Sequence, residues 1–417
     1  MKIRKSFIAL ISIASFCLIP CGAQAANNVA KVGDVEYSTL QEAINQAQNI
    51  TVVLIDDVTE SVTIAQDKVI TLDLGNYTIT NVADKHTITN EGTLTITGNG
   101  TIDNVSHKKG ALVNKGTVTL KSGTLTRSKE AGSSPTNSGG NSWYVVDNNG
   151  GSFIMEGGTI VNTSLYSSAV RNLEASFTMK GGNITNGFIA LKNDDNGVIK
   201  MTGGTVSTTA AGGSAIQNWG NLTMTGGTLN AVSNAAALST WSWSSAYDPV
   251  VTVISDDAIL NGDVIMDYSG ATATSAEMPS LTINGGTIKG NIEDRASSTI
   301  IVNAGTITGE ISSAENGQIE IAPADYSKVE SALKKVESLD EKLYTQESWA
   351  KLKKAVDAVT YDKTILEQDL VDSYAKAINE ALDNLKLVAD KNIENPSTAD
   401  SILLYIIFGI ISVCGLA

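Results

Sequence analysis

Asp147, Arg171 and Lys192 each stand one residue before an asparagine that recurs along the chain, and Asp194 and Asp195 follow Asn193 directly. Carboxylates beside basic side chains suit two kinds of reaction. Acidic groups can hold calcium while a basic group removes a proton from a sugar, or two carboxylates at a set separation can hydrolyse a glycosidic bond. A plain structural account fits the same residues. Outward positions of any repeat are polar, and Asp147 with Arg171 would be an exposed ion pair worth at most about 1 kcal/mol. Glu156 and Lys180 make a similar pair on another face, with no chemistry suggested. Asp56-Asp57 and Asp256-Asp257 fit turns better than metal sites. His86 and His107 are the only histidines, and neither lies in a Gly-His-Gly or His-Glu-x-x-His setting. No Gly-x-Ser-x-Gly elbow is present.

A second set of residues suits binding. Trp143 and Tyr144 fall in one stretch that breaks the repeat, 129–150, and Trp241, Trp243 and Tyr247 in another, 239–249. Loops thrown out from a regular scaffold commonly carry binding residues. Aromatic faces stack on sugar rings, so the two stretches could form a glycan or partner contact. Equally, Trp241 and Trp243 could tuck beneath their own loop. Thr95, Thr119, Thr178 and Thr223 add a flat, hydroxyl-rich face elsewhere.

The element that would position all of these is a repeat. Gly92-Thr-Leu-Thr-Ile, Gly116-Thr-Val-Thr-Leu, Gly151-Ser-Phe-Ile-Met, Ala175-Ser-Phe-Thr-Met, Gly197-Val-Ile-Lys-Met and Gly220-Asn-Leu-Thr-Met are copies of one strand. A glycine turn and two further short strands follow in most units, which recur at about 21 to 25 residues apart from one longer interval. Two-residue alternation sends Leu94 and Ile96 to one side and the threonines to the other. Stacking then predicts one internal column of Leu94, Val118, Phe153, Phe177, Ile199 and Leu222. A second holds Ile96, Leu120, Met155, Met179, Met201 and Met224. Asn90, Asn114, Asn148, Asn172, Asn193 and Asn218 end the third strands and predict a hydrogen-bonded asparagine ladder, the left-handed tolerance of asparagine suiting the bend. The predicted fold is mainly β: a right-handed parallel β-helix solenoid of about a dozen turns, near 50 to 60 Å long. Ser38-Thr-Leu-Gln41 predicts a capping box for a helix that covers its N-terminal end through Leu40, Ala43, Ile44 and Ala47.

Charge and cysteine use narrow the setting. The 417 residues carry 29 basic and 44 acidic side chains, a net charge of -15. Lys2, Arg4 and Lys5 precede an apolar run and Ala23-Gln24-Ala25, which predicts a signal peptide over 1–25. Pro20 disfavours lipidation at Cys21. Cys17, Cys21 and Cys414 leave no cysteine between the leader and the C-terminal apolar stretch, so disulfides and thiolate metal sites are not expected there. An acidic surface repels phosphate backbones, which argues against nucleic acid. No cofactor is required, with calcium an open possibility.

Val32-Gly-Asp-Val-Glu-Tyr-Ser-Thr-Leu-Gln-Glu-Ala-Ile and Thr71-Leu-Asp-Leu-Gly-Asn-Tyr-Thr-Ile resemble the opening of pectate-lyase-like β-helix proteins of bacterial surfaces, and the β-helix is expected over 26–322. That resemblance speaks to fold more than to activity. From Tyr326 the period becomes helical. Val329, Leu333, Val336 and Leu339 predict one helix; Leu352, Val356 and Val359 a second; Leu370, Tyr374, Ile378, Ala381 and Leu385 a third. Thr364-Ile-Leu-Glu367 is a capping box before the third. Tyr344-Thr-Gln-Glu-Ser-Trp349-Ala-Lys-Leu352 resembles the FIVAR module of Gram-positive surface proteins, which implies an all-α three-helix unit over 323–389. Within the linker 390–400, Asn395-Pro-Ser-Thr-Ala-Asp400 resembles a cell-wall sorting signal, which implies attachment through Thr398. The apolar stretch 401–417 alternatively serves as a plain membrane anchor.

These readings predict an extracellular, C-terminally anchored protein of the bacterial surface. Its expected role is non-catalytic adhesion, with a glycan or a host or bacterial surface protein as partner. The alternative is a polysaccharide lyase or glycoside hydrolase working in an outward groove of Asp147, Arg171, Lys192, Asp194 and Asp195.

Overall fold

Leu94, Val118, Phe153, Phe177, Ile199 and Leu222 sit directly opposite one another in successive parallel strands. Each is buried at 0–1 % exposure, as alternation requires of inward positions. The computed structural model describes residues 27–128, 144–162, 167–242, 250–268 and 278–388. The predicted segments 1–25, 390–400 and 401–417 therefore lie outside the described residues, as do Trp143, Trp243, Tyr247 and Thr398.

The chain divides into two compact units, one ending at Glu320 and the other starting at Ile321. The first is mainly β. Its strands form a 21-stranded and an 11-stranded sheet, and apart from the opening antiparallel pairs of Ala30–Val32 the described pairings are parallel. This parallel strand stack is consistent with a β-helix. The second internal column runs Ile96, Leu120, Met155, Met179, Met201, Met224, with Ile254, Ile283 and Val302 continuing it. Phe153 and Phe177 stack with ring centroids 5.1 Å apart and planes 7° from parallel. Strand spacing imposes that geometry, because like side chains one strand apart lie at about 4.8 Å. Close stacking also explains the glycines. A Cβ on Gly116 would lie 2.1 Å from the carbonyl oxygen of Gly92, and Gly182 holds φ +82, a left-handed value that glycine tolerates.

The asparagine ladder is continuous. Each Nδ2 donates to the next Oδ1, from Asn90 to Asn114 (2.8 Å), Asn148 (2.7 Å), Asn172 (2.7 Å), Asn193 (2.9 Å) and Asn218 (2.8 Å). Asn218 then donates to the Thr252 hydroxyl at 3.1 Å, and Thr252 occupies the column of Leu222. One expectation fails. None of the six asparagines is among the described positive-φ residues; Glu174 (φ 46) and Asn196 (φ 55), just past the ladder, take that conformation instead. The amide, not backbone tolerance, accounts for asparagine here.

A second polar column lines the other corner. Asn81, Asn104, Arg127, Asn162, Asn186 and Thr208 close the second strands and are all 0–2 % exposed. Its members tie corners to neighbouring strands. Asn104 Nδ2 donates to the Gly110 carbonyl at 2.9 Å, Thr208 Oγ1 to the Phe188 carbonyl at 2.6 Å, and Arg127 Nε to the Lys109 carbonyl at 2.6 Å.

Helix α1 spans Leu40–Gln46 and buries Leu40, Ala43 and Ile44. Its cap is Thr39 rather than Ser38, with the Thr39 hydroxyl accepting from the Glu42 amide at 3.2 Å. Glu60 takes the next two orphan amides, of Leu40 and Gln41, at 2.8 and 3.1 Å. A carboxylate at that end also meets the positive pole of the helix.

The second unit holds α2 (Ser327–Glu337), α3 (Gln346–Asp357) and α4 (Gln368–Asp383). Its core is Val329, Ala332, Leu352, Val371, Ala375 and Ile378, with Leu333, Val336, Trp349 and Tyr374 packed partly against it. The capping box of Thr364 and Glu367 forms as expected, across a short 3-10 turn before α4. Leu370 differs from expectation. It is 42 % exposed, and Val371 takes the core place, since Val371, Tyr374, Ile378, Ala381 and Leu385 follow the alternating three- and four-residue spacing of one helix face and Leu370 falls beside it.

Candidate binding face

The third strands form the 11-stranded sheet, and the residue before each ladder position points away from the core. Pairing sets these outward residues in one row: Val113, Asp147, Arg171, Lys192, Gln217, Ser239, Ile265 and Glu293. The residue after each ladder position makes a parallel row that includes Asp194, Trp219, Trp241, Asp267 and Arg295. Trp219 and Asp194 are equivalent, since their amides donate to Asn193 and Asn172 carbonyls respectively, each at 2.8 Å.

The structure brings the predicted groove residues together on this face. Arg171 Nε and Nη2 reach the two Asp147 oxygens at 2.8 and 3.1 Å. The pair is not exposed as expected: the Asp147 side chain is 3 % accessible and that of Arg171 19 %. Tyr144 covers the guanidinium, whose carbon lies 4.8 Å from the ring centroid. Burial works to lower the Arg171 pKa, but the hydrogen bond and charge of Asp147, with Tyr144 and Asp194, hold it above the ordinary arginine value. Arg171 is thus fixed as a cation. Lys192 pairs with Asp194 at 3.0 Å, and Asp195 lies at the adjoining bend. Asp147 and Asp194, two of the three carboxylates that could hold calcium, are therefore engaged by cations. Glu156 and Lys180 pair at 3.2 Å on the larger sheet, in the open, as anticipated.

Of the aromatic residues singled out from sequence, Tyr144 and Trp241 are described. Both are half-buried. Trp241 neither stands free nor packs alone. It stacks on Trp219, with centroids 5.6 Å apart and planes 19° from parallel. Lys192 Nζ lies 5.9 Å from the Trp219 centroid on the same face. Trp219 lies outside the two stretches that break the repeat, so a reading of those stretches passes over it. Its signal was available: it follows the ladder residue Asn218 directly, so the repeat's own phase sets it beside Trp241. The threonine row is in register as expected, Thr95, Thr119, Thr178 and Thr223, but Ile154 and Lys200 interrupt it.

Beyond Trp241 the face opens into a groove of about 390 Å³, bordered by Gln217, Ser239, Trp241, Ile265, Glu293 and Arg295. Arg295 grips Glu293 with two bonds of 2.8 and 2.7 Å, and the hydrogen bond from Arg295 holds the Glu293 carboxyl below the usual carboxylate range. His86 lies elsewhere, and its Nδ1 accepts the Gly110 amide at 2.9 Å. Burial, then Lys109, pushes its pKa below 6.5. No family model, curated protein or solved structure matches this chain.

Proposed function

We propose that this is a non-catalytic surface protein whose right-handed parallel β-helix presents the outward face of the 11-stranded sheet to a glycan. The observation that carries the reading is the continuous run of Tyr144 over Arg171, Lys192 over Trp219, and Trp219 on Trp241, leading into the open groove. Aromatic bodies with polar rims are the composition by which carbohydrate and protein ligands are held. Arg171 supports binding over proton abstraction. A guanidinium locked to a buried carboxylate is a poor base, and its partner is spent on holding it.

On this reading the leader over 1–25 exports the chain, and the three-helix unit is a FIVAR-like accessory module near the wall. The C-terminus is anchored, through Thr398 in a sortase reaction or through the apolar stretch 401–417. Incubation of the purified chain with immobilised glycans, with calcium and with a chelator, tests the reading. Retention without release of unsaturated or reducing ends is expected under both conditions. Calcium-dependent release of such ends, abolished in Arg171→Ala, would establish the polysaccharide-cleaving alternative instead.

A further inference from the structure

The groove past Trp241 defines the ligand more narrowly than the face as a whole. We propose that it takes an uncharged polysaccharide chain lying parallel to the stacking axis, an inference that rests on the glycan-binding reading above. Direction comes from register. Gln217, Ser239, Ile265 and Glu293 are successive partners in four neighbouring strands, so the groove floor runs along the stack for about 14 Å at the usual strand spacing.

Chemistry comes from what lines it. Ile265 sets an apolar side chain between the polar Ser239 and Glu293 of its row and lines the groove together with Trp241, whose ring offers a surface to the C–H side of a sugar. Gln217 and Ser239 toward one end of the floor, Glu293 at the other, and Asp263 two residues before Ile265 on its strand supply acceptors for hydroxyl groups. Charge selects against acidic chains. Arg295, the one cation on the groove wall among the described residues, is closed onto Glu293 through two hydrogen bonds. Asp263 adds a second negative charge, its carboxylate accepting the Asn291 amide at 2.8 Å. Up the face, Arg171 and Lys192 are matched by Asp147 and Asp194. A uronate polymer entering this groove would meet net negative charge and lose hydration without gaining a cation.

The test uses affinity electrophoresis of the purified chain through gels holding a neutral β-glucan, a mannan or polygalacturonate. A neutral polymer is expected to retard the protein, with retardation little changed up to about 0.5 M salt, where charge attraction is screened. Ile265→Arg, which removes the apolar floor and fills the groove with a long charged side chain, should weaken neutral binding at least about tenfold. Gln217→Ala, at a position less able to disturb folding, should weaken it several-fold, with melting temperature checked for both. Retardation by polygalacturonate alone, collapsing in salt, would overturn the uncharged ligand while leaving glycan binding intact. Neutral binding untouched by both folded variants would overturn the groove. Retardation by none of the polymers would overturn this inference and the glycan reading together.

Discussion

Asp147 and Arg171 lie one strand apart in the same outward row, joined by hydrogen bonds of 2.8 and 3.1 Å, with the carboxylate all but inaccessible. Two strands that only needed polar surfaces would not hide a charge. Hiding one obliges the pair to stay together, because either ion alone would be buried without compensation.

Removing one partner should therefore cost far more than an exposed pair is worth. Arg171→Ala is expected to lower stability by about 3–5 kcal/mol, read as a fall in the urea midpoint. Asp147→Leu with Arg171→Met in one chain should recover most of that loss, since two apolar side chains leave no orphaned charge. A single-variant loss below about 1 kcal/mol would return the pair to the exposed class.

The ladder makes a second demand on single side chains. Asn148 accepts from Asn114 and donates to both Asn172 and the Ser176 carbonyl. Asn148→Ala strands a donor below and an acceptor above, for an expected loss of about 3 kcal/mol. Asn148→Asp should be worse at neutral pH, because an ionised carboxylate cannot donate to either oxygen. Its deficit should shrink as acid protonates the carboxyl, which chemical denaturation at two pH values would show.

Particular residues show where sequence was sufficient. Phe153 and Phe177 could be placed in one column because alternation and repeat length agree, and strand pairing then leaves no freedom. The ladder was visible for the same reason. Depth on the outward face was not. Phase says that Asp147 points out, but its burial depends on Tyr144 and on how Arg171 folds across it, which no periodicity encodes. Arg127 was illegible in a different way. It holds a corner position that other repeats give to asparagine, and a charged residue at that point of a sequence suggests solvent. Leu370 shows a residue type outweighing spacing: leucine at 370 draws the eye, but the three- and four-residue steps back from Ile378 and Tyr374 reach Val371.

His86 should make stability depend on pH. Its Nδ1 is an acceptor for Gly110, and burial with Lys109 and Arg127 nearby disfavours the cation more than Asp147 favours it. A depressed folded pKa means that the unfolded chain takes up the proton first. Stability is thus complete above the unfolded value near 6.5 and falls as pH drops from there toward the lower folded value. His86→Gln should lack this component, so the difference between wild type and variant changes by at most about 1.4 kcal/mol per pH unit. Parallel unfolding curves for both chains between about pH 7.5 and 5 check it; a constant difference across the range would deny His86 the role.

Trp219 separates the two sheets as binding faces. Its ring lies between Lys192 and Trp241, so Trp219→Ala removes the support on which Trp241 rests beside the groove. Affinity for a neutral glycan is expected to fall about tenfold, equivalent to about 1.4 kcal/mol. Thr178→Ala, on the threonine row of the larger sheet, is expected to leave affinity unchanged because that row is a different surface. Calorimetric titration of both variants against one oligosaccharide measures the contrast. The reverse result, a loss in Thr178→Ala with Trp219→Ala unaffected, would move the binding face to the hydroxyl-lined sheet, where no groove of aromatic rings is needed and contact would be made through threonine side chains alone.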